Sequence, residues 1–223
     1  NAKSSTTSPM STTDTLHQMY ERMLGQLGPQ HWWPAETPFE VMVGAILTQN
    51  TNWKNVERAI DNLKRAGLLS LPALSELPVA LLAEYIRPAG YYNIKAGRLK
   101  NLLNHIVEQH GGDLHTFFDQ PLASFREQLL SIKGIGRETA DSILLYAAGL
   151  PIFVVDAYTH RILSRHNLID EDCGYEMIQE LFMDHLESEA PLYNEFHALL
   201  VKVGNLYCKK KNPDCAACPL QGL

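Results

Sequence analysis

Helical periodicity runs through almost the whole sequence, and it constrains the fold more than any other feature. Apolar side chains recur three or four positions apart, and glycine or proline separates one such segment from the next. The segment 39–47 is apolar on nearly every side, which predicts a buried central helix. Only the run 152–155 resembles a β-strand, and four residues are too few to require one. We therefore predict an all-α fold.

The predicted helices are placed by their periodicity and by the residues that end them. They cover residues 16–27, 39–47, 51–66, 78–86, 93–109, 122–130, 137–148, 157–165, 175–186 and 192–207. Residues 1–13 are rich in serine and threonine, and we expect a disordered tail there. No apolar run approaches the roughly 20 residues of a membrane-spanning helix, and no signal peptide is visible. We therefore expect a cytoplasmic protein with no membrane partner.

The charge balance argues mildly against a nucleic-acid partner. The chain has a net charge of −6 and a pI of about 5.8, whereas nucleic-acid-binding domains are usually basic. Binding would then depend on local basic clusters, although each cluster could equally be ordinary solvated surface. The clusters are Lys95, Arg98 and Lys100; Lys133 and Arg137; Arg161 and Arg165; and Lys202 with Lys209, Lys210 and Lys211.

A glycine turn between two predicted helices is the strongest local motif. Residues 129–140 read Leu-Leu-Ser-Ile-Lys-Gly-Ile-Gly-Arg-Glu-Thr-Ala, so that Gly134, Ile135 and Gly136 lie between two cations. Glycines let a backbone approach a phosphate closely, and the start of the next helix would offer N–H groups to that anion. Ile135 would anchor the turn in the core. A phosphate-binding hairpin and a plain connection between helices are both open on this motif alone.

A second motif follows one helix later and ends in an acidic residue. Residues 149–156 read Gly-Leu-Pro-Ile-Phe-Val-Val-Asp, and Asp156 precedes another helical run. An isolated aspartate at such a place is best explained as a helix N-cap. However, a helix–hairpin–helix followed by glycine, proline and aspartate resembles the endonuclease III superfamily of DNA glycosylases. The resemblance extends from about residue 14 to the end of the chain.

Two shorter segments share this resemblance. Residues 47–49, Leu-Thr-Gln, resemble the family segment whose glutamine, here Gln49, fills the gap left by a flipped base. Residues 90–96, Gly-Tyr-Tyr-Asn-Ile-Lys-Ala, resemble the segment that wedges the duplex, here through Tyr91, and holds its backbone, here through Lys95. Gln49 could instead hydrogen-bond within its own domain, and Tyr91 could be an ordinary turn aromatic.

The resemblance implies a two-lobed helix-hairpin-helix DNA glycosylase fold with a C-terminal iron–sulfur loop. Residues 30–150 would form a six-helix barrel domain that contains the hairpin. Residues 14–29 and 151–223 would form the second lobe, and double-stranded DNA with a damaged base would lie across the groove. The hairpin and the lysine run 209–211 would contact DNA phosphates. A monomer is the usual state in this family, and the resemblance implies a nucleoid-associated protein.

One position departs from the pattern of the lyase-active members of the family. They carry a lysine two residues after the second hairpin glycine, where its amine attacks the sugar and forms a Schiff base. This chain has Glu138 there, and a carboxylate cannot form a Schiff base. The resemblance therefore implies a monofunctional glycosylase. Its catalytic residue would be Asp156, which would stabilise the positive charge that develops on the deoxyribose and orient or activate a water.

The three tryptophans lie in the first quarter of the chain and suggest a substrate. Trp32 and Trp33 precede a proline, and Trp53 follows the Gln49 segment, an arrangement that resembles the 3-methyladenine branch of the superfamily. Alkylated purines such as 3-methyladenine are cationic, and indole faces attract flat cations by roughly 0.5–2 kcal/mol each. The alternative interpretation is that the tryptophans fill the core, above all Trp33.

Three of the four cysteines crowd into the last sixteen residues. Cys208, Cys215 and Cys218 are spaced like the start of the family's [4Fe–4S] motif. In the family's motif five residues separate the third and fourth cysteines; residues 219–223 are those five here, and we expect the fourth cysteine at the next position. The resemblance implies a structural cluster that pins the lysine run against a phosphate. Zinc is the alternative metal, and Cys173 matches no ligand position.

Other functions are left open beside the favoured one. One is a glycosylase for a different lesion, either mismatched adenine or an oxidised pyrimidine, with weak lyase activity. Another is a catalytically inactive protein that binds DNA structure, against which Asp156 argues. The favoured function is a monofunctional DNA N-glycosylase of base excision repair that flips and hydrolytically removes alkylated purines.

Overall fold

α-Helices dominate the computed structural model, which describes residues 10–223. Within those residues there are twelve α-helices, a 3₁₀ turn (Arg87–Ala89) and a π-helical turn (Ile143–Ala147), and no β-strand. The helices are α1 (Thr12–Leu27), α2 (Pro38–Leu47), α3 (Trp53–Arg65), α4 (Leu71–Glu76), α5 (Val79–Tyr85), α6 (Tyr92–His110), α7 (Leu114–Phe118), α8 (Leu122–Ser131), α9 (Arg137–Ser142), α10 (Ala157–Arg165), α11 (Tyr175–Met183) and α12 (Ala190–Leu206). The all-α prediction is confirmed.

The helices differ from the sequence-based prediction in several places, of which three matter most. α1 begins at Thr12, where the Ser11 side chain accepts the Asp14 N–H, so the predicted tail overlaps the first helix. The remainder of that tail, 1–9, lies outside the described residues. The sequence does not predict α4 or α7, because six and five residues carry too little periodicity. The predicted helix 137–148 is α9 followed by the π-helical turn.

The chain divides into two compact units. The hairpin unit is Trp33–Ile152 and contains α2 to α9. The terminal unit comprises residues up to Trp32 together with Phe153–Leu223, and it contains α1 and α10 to α12. Within the described part of the chain, every helix is too short or too polar to cross a membrane.

α2 is the central helix of the hairpin unit. Thr37 caps it by accepting the Glu40 N–H at 3.1 Å, and Pro38 occupies its first turn. All residues of the segment 39–47 are buried, because the helix packs against α3, α6, α9 and the π-helical turn. The carboxylate of buried Glu40 is neutralised by Lys64, whose Nζ lies 3.0 Å away. The predicted buried central helix is therefore confirmed.

Aromatic side chains form the core of the terminal unit. Phe153 stacks on Phe182 with 3.9 Å between ring centroids, and Phe196 meets both rings edge-on. α10 packs along α12, and Gly204 of α12 leaves the space that the Tyr158 ring of α10 occupies. This close packing brings the first turn of α10 beside α12.

Replacing Gly204 with alanine should destabilise the protein. The new Cβ would collide with the Tyr158 ring, and overpacking of this kind costs about 1–3 kcal/mol. That cost exceeds the gain of about 1 kcal/mol in helix propensity. We expect a lower Tm for Gly204→Ala, measured by circular dichroism.

The matched control is Gly25→Ala in α1, where a new Cβ meets no atom within 4 Å. This variant should have an unchanged or higher Tm, because only the helix propensity changes. A Gly204→Ala protein as stable as Gly25→Ala would contradict the close approach of α10 and α12.

Candidate active site and nucleic-acid interface

Asp156 is the N-cap residue of α10 in the terminal unit. Its Oδ1 accepts hydrogen bonds from the Thr159 N–H at 2.8 Å and from the Thr159 hydroxyl at 3.0 Å. The N-cap interpretation of this residue is therefore correct. Its other oxygen, Oδ2, lies 3.0 Å from Nε2 of His197. One carboxylate thus serves the helix with one oxygen and contacts an imidazole with the other.

His197 is a site residue that the sequence reasoning missed. It lies on α12, 41 positions after Asp156, and its only sequence signal is a polar residue within an apolar helical run. Burial raises the pKa of the Asp156 carboxyl, but His197 and Thr159 outweigh burial, and the resulting pKa lies below its ordinary value. The Asp156 side chain is only 11% exposed. The site therefore holds an almost buried carboxylate that is ionised at neutral pH.

The glycine turn connects α8 to α9 in the hairpin unit. Gly134 has a φ of +97°, which favours glycine, and the Arg98 side chain occupies the place of a Cβ there. The Ile135 side chain is buried and anchors the turn. Lys133 and Gly136 are exposed in the turn, and Arg137 and Glu138 are exposed at the start of α9. An anion can therefore reach two cations and a side-chain-free backbone at this turn.

Gln49 is hydrogen-bonded inside the hairpin unit rather than free at its surface. Its Nε2 donates to the Gly134 carbonyl at 3.1 Å and to the Thr139 hydroxyl at 2.9 Å. Its Oε1 accepts from Arg98 Nη1 at 2.6 Å. The alternative interpretation, a hydrogen bond within its own domain, describes this arrangement. The gap-filling role of Gln49 stays a prediction, and these three bonds would have to break before Gln49 could enter the DNA.

Lys95 is not available to a phosphate, so that prediction is wrong. The residue is 1% exposed, and its Nζ donates to the carbonyls of Leu47 at 2.7 Å and Ala89 at 2.8 Å. Leu47 ends α2 and Ala89 ends the 3₁₀ turn, so the ammonium satisfies two helix-terminal carbonyls. Arg98 and Lys100, from the same sequence cluster, also donate to oxygens of the protein. This cluster is part of the framework and not a basic surface.

Tyr91 lies at a tip immediately before α6 and is 67% exposed. Its φ is +46° and that of the preceding Gly90 is +71°, so the chain reverses sharply there. Ile94, the third residue of α6, is also exposed. Two large apolar side chains at such a tip can enter between base pairs, so the predicted wedge role of Tyr91 is compatible with this geometry.

An aromatic cluster lies at the start of the hairpin unit. Trp33 packs edge-on against Trp53 with 5.1 Å between ring centroids and at a tilt against Tyr146 at 5.3 Å. The Trp33 ring also lies against Gly44 of α2, whose missing side chain leaves it room. Tyr146 belongs to the π-helical turn, and its place in this cluster is not visible in the sequence. Trp32 is half-buried and belongs to the terminal unit.

Cys208, Cys215 and Cys218 line one cavity of the terminal unit. Burial raises the pKa of the Cys218 thiol, and a backbone hydrogen bond from Leu220 only partly offsets this effect. Arg165 donates to the Cys208 sulfur at 3.2 Å. Within residues 10–223, no three His, Cys, Asp or Glu side chains are close enough together to hold a metal ion. The three thiols are the right type of donor for a cluster and share one cavity, but they are not arranged as a preformed site.

Residues 43–188 match the family model for the HhH-GPD superfamily of base excision DNA repair proteins, which is more than half of the chain. The chain belongs to this superfamily. It is therefore a DNA N-glycosylase of base excision repair, and the predicted superfamily is confirmed.

Similar proteins support this membership. A candidate DNA repair glycosylase of Methanocaldococcus jannaschii is 48% identical, over 93% of this chain and 94% of the relative. Endonuclease III of Sulfolobus acidocaldarius is 29% identical over 82% and 79%. The structure of H. pylori 3-methyladenine DNA glycosylase bound to 1,N6-ethenoadenine has a TM-score of 0.74 and 32% identity, over 86% of this chain and 96% of that one. A trapped endonuclease III–DNA covalent intermediate shares the fold, with a TM-score of 0.81 at 22% identity over 95% and 94%.

The burial of Lys95 should make stability depend on pH. Desolvation, and then repulsion from Arg98, lower the Lys95 pKa from 10.5 to about 8. Between those two values the unfolded chain holds a proton that the folded protein has released, so the stability contributed by this residue rises with pH. We expect the free energy of unfolding of the wild type, relative to Lys95→Met, to increase from about pH 7.5 to about pH 10.

Urea unfolding at each pH measures that difference. Lys54→Met is the control, because it removes an exposed lysine and reports any pH dependence that does not come from Lys95. A wild-type advantage over Lys95→Met that changes with pH no more than the advantage over Lys54→Met would contradict the buried ammonium.

Proposed function

We propose that this glycosylase is monofunctional and hydrolytically removes alkylated purines such as 3-methyladenine from double-stranded DNA. The observation that carries the proposal is the Asp156–His197 pair, a carboxylate kept ionised beside an imidazole at 3.0 Å. Glu138, at the second position of α9, replaces the lysine of the lyase-active members. The position thus offers no amine for a Schiff base. Hydrolysis assisted by a carboxylate is the chemistry that these residues support.

Asp156 would act through its fixed negative charge. Cleavage of the N-glycosidic bond develops positive charge on the deoxyribose, and a nearby carboxylate stabilises that charge. Thr159 holds Oδ1 and His197 holds Oδ2, so the carboxylate needs no reorientation during the reaction. The same group can orient the attacking water. The low pKa keeps it charged over the physiological range.

The aromatic cluster favours a cationic base. Trp33, Trp53 and Tyr146 offer electron-rich ring faces, and each face attracts a flat cation by roughly 0.5–2 kcal/mol. A base that already carries positive charge is also a good leaving group and needs no strong general acid. The similarity to the H. pylori 3-methyladenine glycosylase supports the same substrate class. Trp32 remains a candidate for contact with the base on the sequence pattern alone.

Base flipping needs a grip on phosphates and a group that enters the base stack. The hairpin residues Lys133 and Arg137 and the backbone at Gly136 would bind phosphate. The exposed lysines at 209–211 would bind a second phosphate region. Tyr91 would wedge the duplex, which offsets an unpairing cost of a few kcal/mol. We expect the protein to act as a monomer.

A [4Fe–4S] cluster would be held by Cys208, Cys215 and Cys218 with a further thiolate. When bound, it would supply a covalent tie between α12 and the loop that carries the lysines. Arg161 and Arg165 already fix this loop, because they donate to the carbonyls of Cys208 and Lys209, each at 2.7 Å. The cluster would thus hold the same loop that the guanidinium groups of Arg161 and Arg165 already hold by hydrogen bonds.

The direct test is base release from DNA treated with a methylating agent. Wild-type protein should release 3-methyladenine or 7-methylguanine, identified by chromatography, without nicking the strand. Asp156→Asn should slow release by about 10²- to 10³-fold, since the charge is lost. Its stability should change little, because asparagine is an equally good N-cap.

Asp113→Asn is the matched control, since Asp113 caps α7 in the same way but lies in the hairpin unit. It should excise at the wild-type rate. Release that persists in Asp156→Asn would remove Asp156 from catalysis. If the wild type releases only mismatched, deaminated or oxidised bases, the glycosylase is retained and the alkylpurine assignment is overturned.

Replacing His197 with glutamine should move the acid limb of the pH–rate profile. Glutamine can keep a hydrogen bond to Asp156 but supplies no positive charge, so the pKa of the carboxyl rises. The rate falls as Asp156 is protonated, and we expect this fall at higher pH in His197→Gln than in the wild type.

Single-turnover excision between about pH 4.5 and about pH 8 gives the profile. His115→Gln, at an exposed position of α7, is the control and should leave the profile unchanged. An acid limb in the same place for His197→Gln would show that His197 does not set the charge of Asp156.

A further inference from the structure

The turn after α2 presents one residue inward and the next outward. Thr51 N–H donates to the Thr48 carbonyl at 3.2 Å and closes a tight turn with Gln49 and Asn50 at its centre. Gln49 is half-buried and bonded to the hairpin, whereas Asn50 is exposed. Asn50 has a φ of +52°, a conformation that asparagine adopts more readily than other residues with a side chain. The exposed amide therefore projects from a turn that suits its own residue type.

Both sides of this turn are held firmly. Thr48 donates its hydroxyl to the Gly44 carbonyl at 2.6 Å, and the Asn52 side chain caps α3 by accepting the Asn55 N–H at 3.1 Å. A short side chain on such a rigid tip loses little conformational entropy when it meets a partner. Its amide offers both donors and an acceptor, which a base edge can use.

Gln49 holds the hairpin in a way that an inserted side chain could not. Its amide joins Gly134 and Thr139 of the hairpin region to Arg98 of α6. Moving Gln49 into DNA would remove these bonds at the moment when the hairpin must grip a phosphate. The half-buried Arg98 guanidinium would lose an acceptor, at a cost larger than that of a neutral hydrogen bond.

The two exposed tips of the hairpin unit are tied to each other. Lys95 bonds the Leu47 carbonyl, one residue before the turn, and the Ala89 carbonyl, two residues before Tyr91. Asn50 and Tyr91 both have positive φ and are both exposed. The Lys95 ammonium thus fixes the distance between the Asn50 tip and the Tyr91 tip, while its own charge stays buried.

We infer that Asn50, and not Gln49, contacts the DNA at the position that the flipped base leaves, and that Gln49 is a positioning residue that braces the hairpin. The inference rests on the base flipping in the proposed function. It deepens that function by giving the two central residues of one turn different roles. Asn50 touches the DNA, and Gln49 holds the phosphate-binding hairpin in place.

The experiment measures binding rather than excision, so it does not depend on the lesion. Fluorescence anisotropy gives the Kd for a duplex with a tetrahydrofuran abasic analogue and for the intact duplex of the same sequence. Asn50→Gly keeps the positive φ and removes the amide. It should lower the preference for the abasic duplex by roughly five- to tenfold and leave the intact duplex unchanged.

Gln49→Ala should behave differently, because it loosens the hairpin. We expect weaker binding of both duplexes by the same factor, so the abasic preference is kept. The slope of log Kd against log salt should also fall by about one phosphate contact, which a loss of overall stability would not produce. Asn104→Ala, at an exposed position later in α6, is the control and should match the wild type.

Asn50→Asp provides a second test, in which the side chain keeps its size and changes only its charge and hydrogen-bonding groups. A carboxylate of nearly the same shape should weaken the abasic complex more than glycine does, because it faces the negative backbone. The inference is overturned if Gln49→Ala loses the abasic preference while Asn50→Gly and Asn50→Asp keep it. If the wild type itself does not prefer the abasic duplex, base flipping in the proposed function is overturned together with the inference.

Discussion

The buried ammonium of Lys95 is the interaction on which the hairpin unit depends. It bonds the last carbonyl of α2 and the last carbonyl of the 3₁₀ turn, and both chain segments continue into exposed tips. Burying a charge is costly, and desolvation lowers its pKa to about 8. Carbonyls at helix C-termini carry partial negative charge, so they are where a buried cation is best tolerated. The two tips, at Asn50 and Tyr91, can be rigid because the chain segments that lead into them are joined at Lys95 Nζ.

The terminal unit also contains a nearly buried charge, and there it is the carboxylate of Asp156. A catalytic anion must be charged and almost dry, although burial alone would neutralise it. Asp156 avoids neutralisation because the N–H and hydroxyl of Thr159 and the ring of His197 surround it with hydrogen-bond donors. The N-cap and catalytic interpretations therefore do not compete. The cap supplies part of the electrostatic environment that the proposed chemistry needs.

Local patterns predicted the long helices and the identity of the hairpin, but not the partners of the site residues. α2 and α6 begin within one residue of their predicted starts, whereas α4 and α7 are too short to leave a pattern. His197 could not be assigned, because nothing within a helix indicates which distant residue it meets. The error on Lys95 was avoidable in principle. Lys95 lies on the same helical stripe as Leu99, Leu102 and Ile106, all of which are buried.

The acidic balance of the chain has a consequence for how it would find a lesion. Many cations are committed inside the protein, since Lys64 pairs with Glu40, Arg126 pairs with Asp141, and Lys95 bonds carbonyls. The exposed cations at the hairpin and the lysine run would supply the salt-dependent attraction to intact DNA, against a net charge of −6. In the proposed function, discrimination would rest on contacts that form only when a base has left the stack, such as aromatic faces, turn tips and an ionised carboxylate. This division would suit a protein that passes over undamaged DNA, because phosphate contacts alone would not hold it where those other contacts do not form.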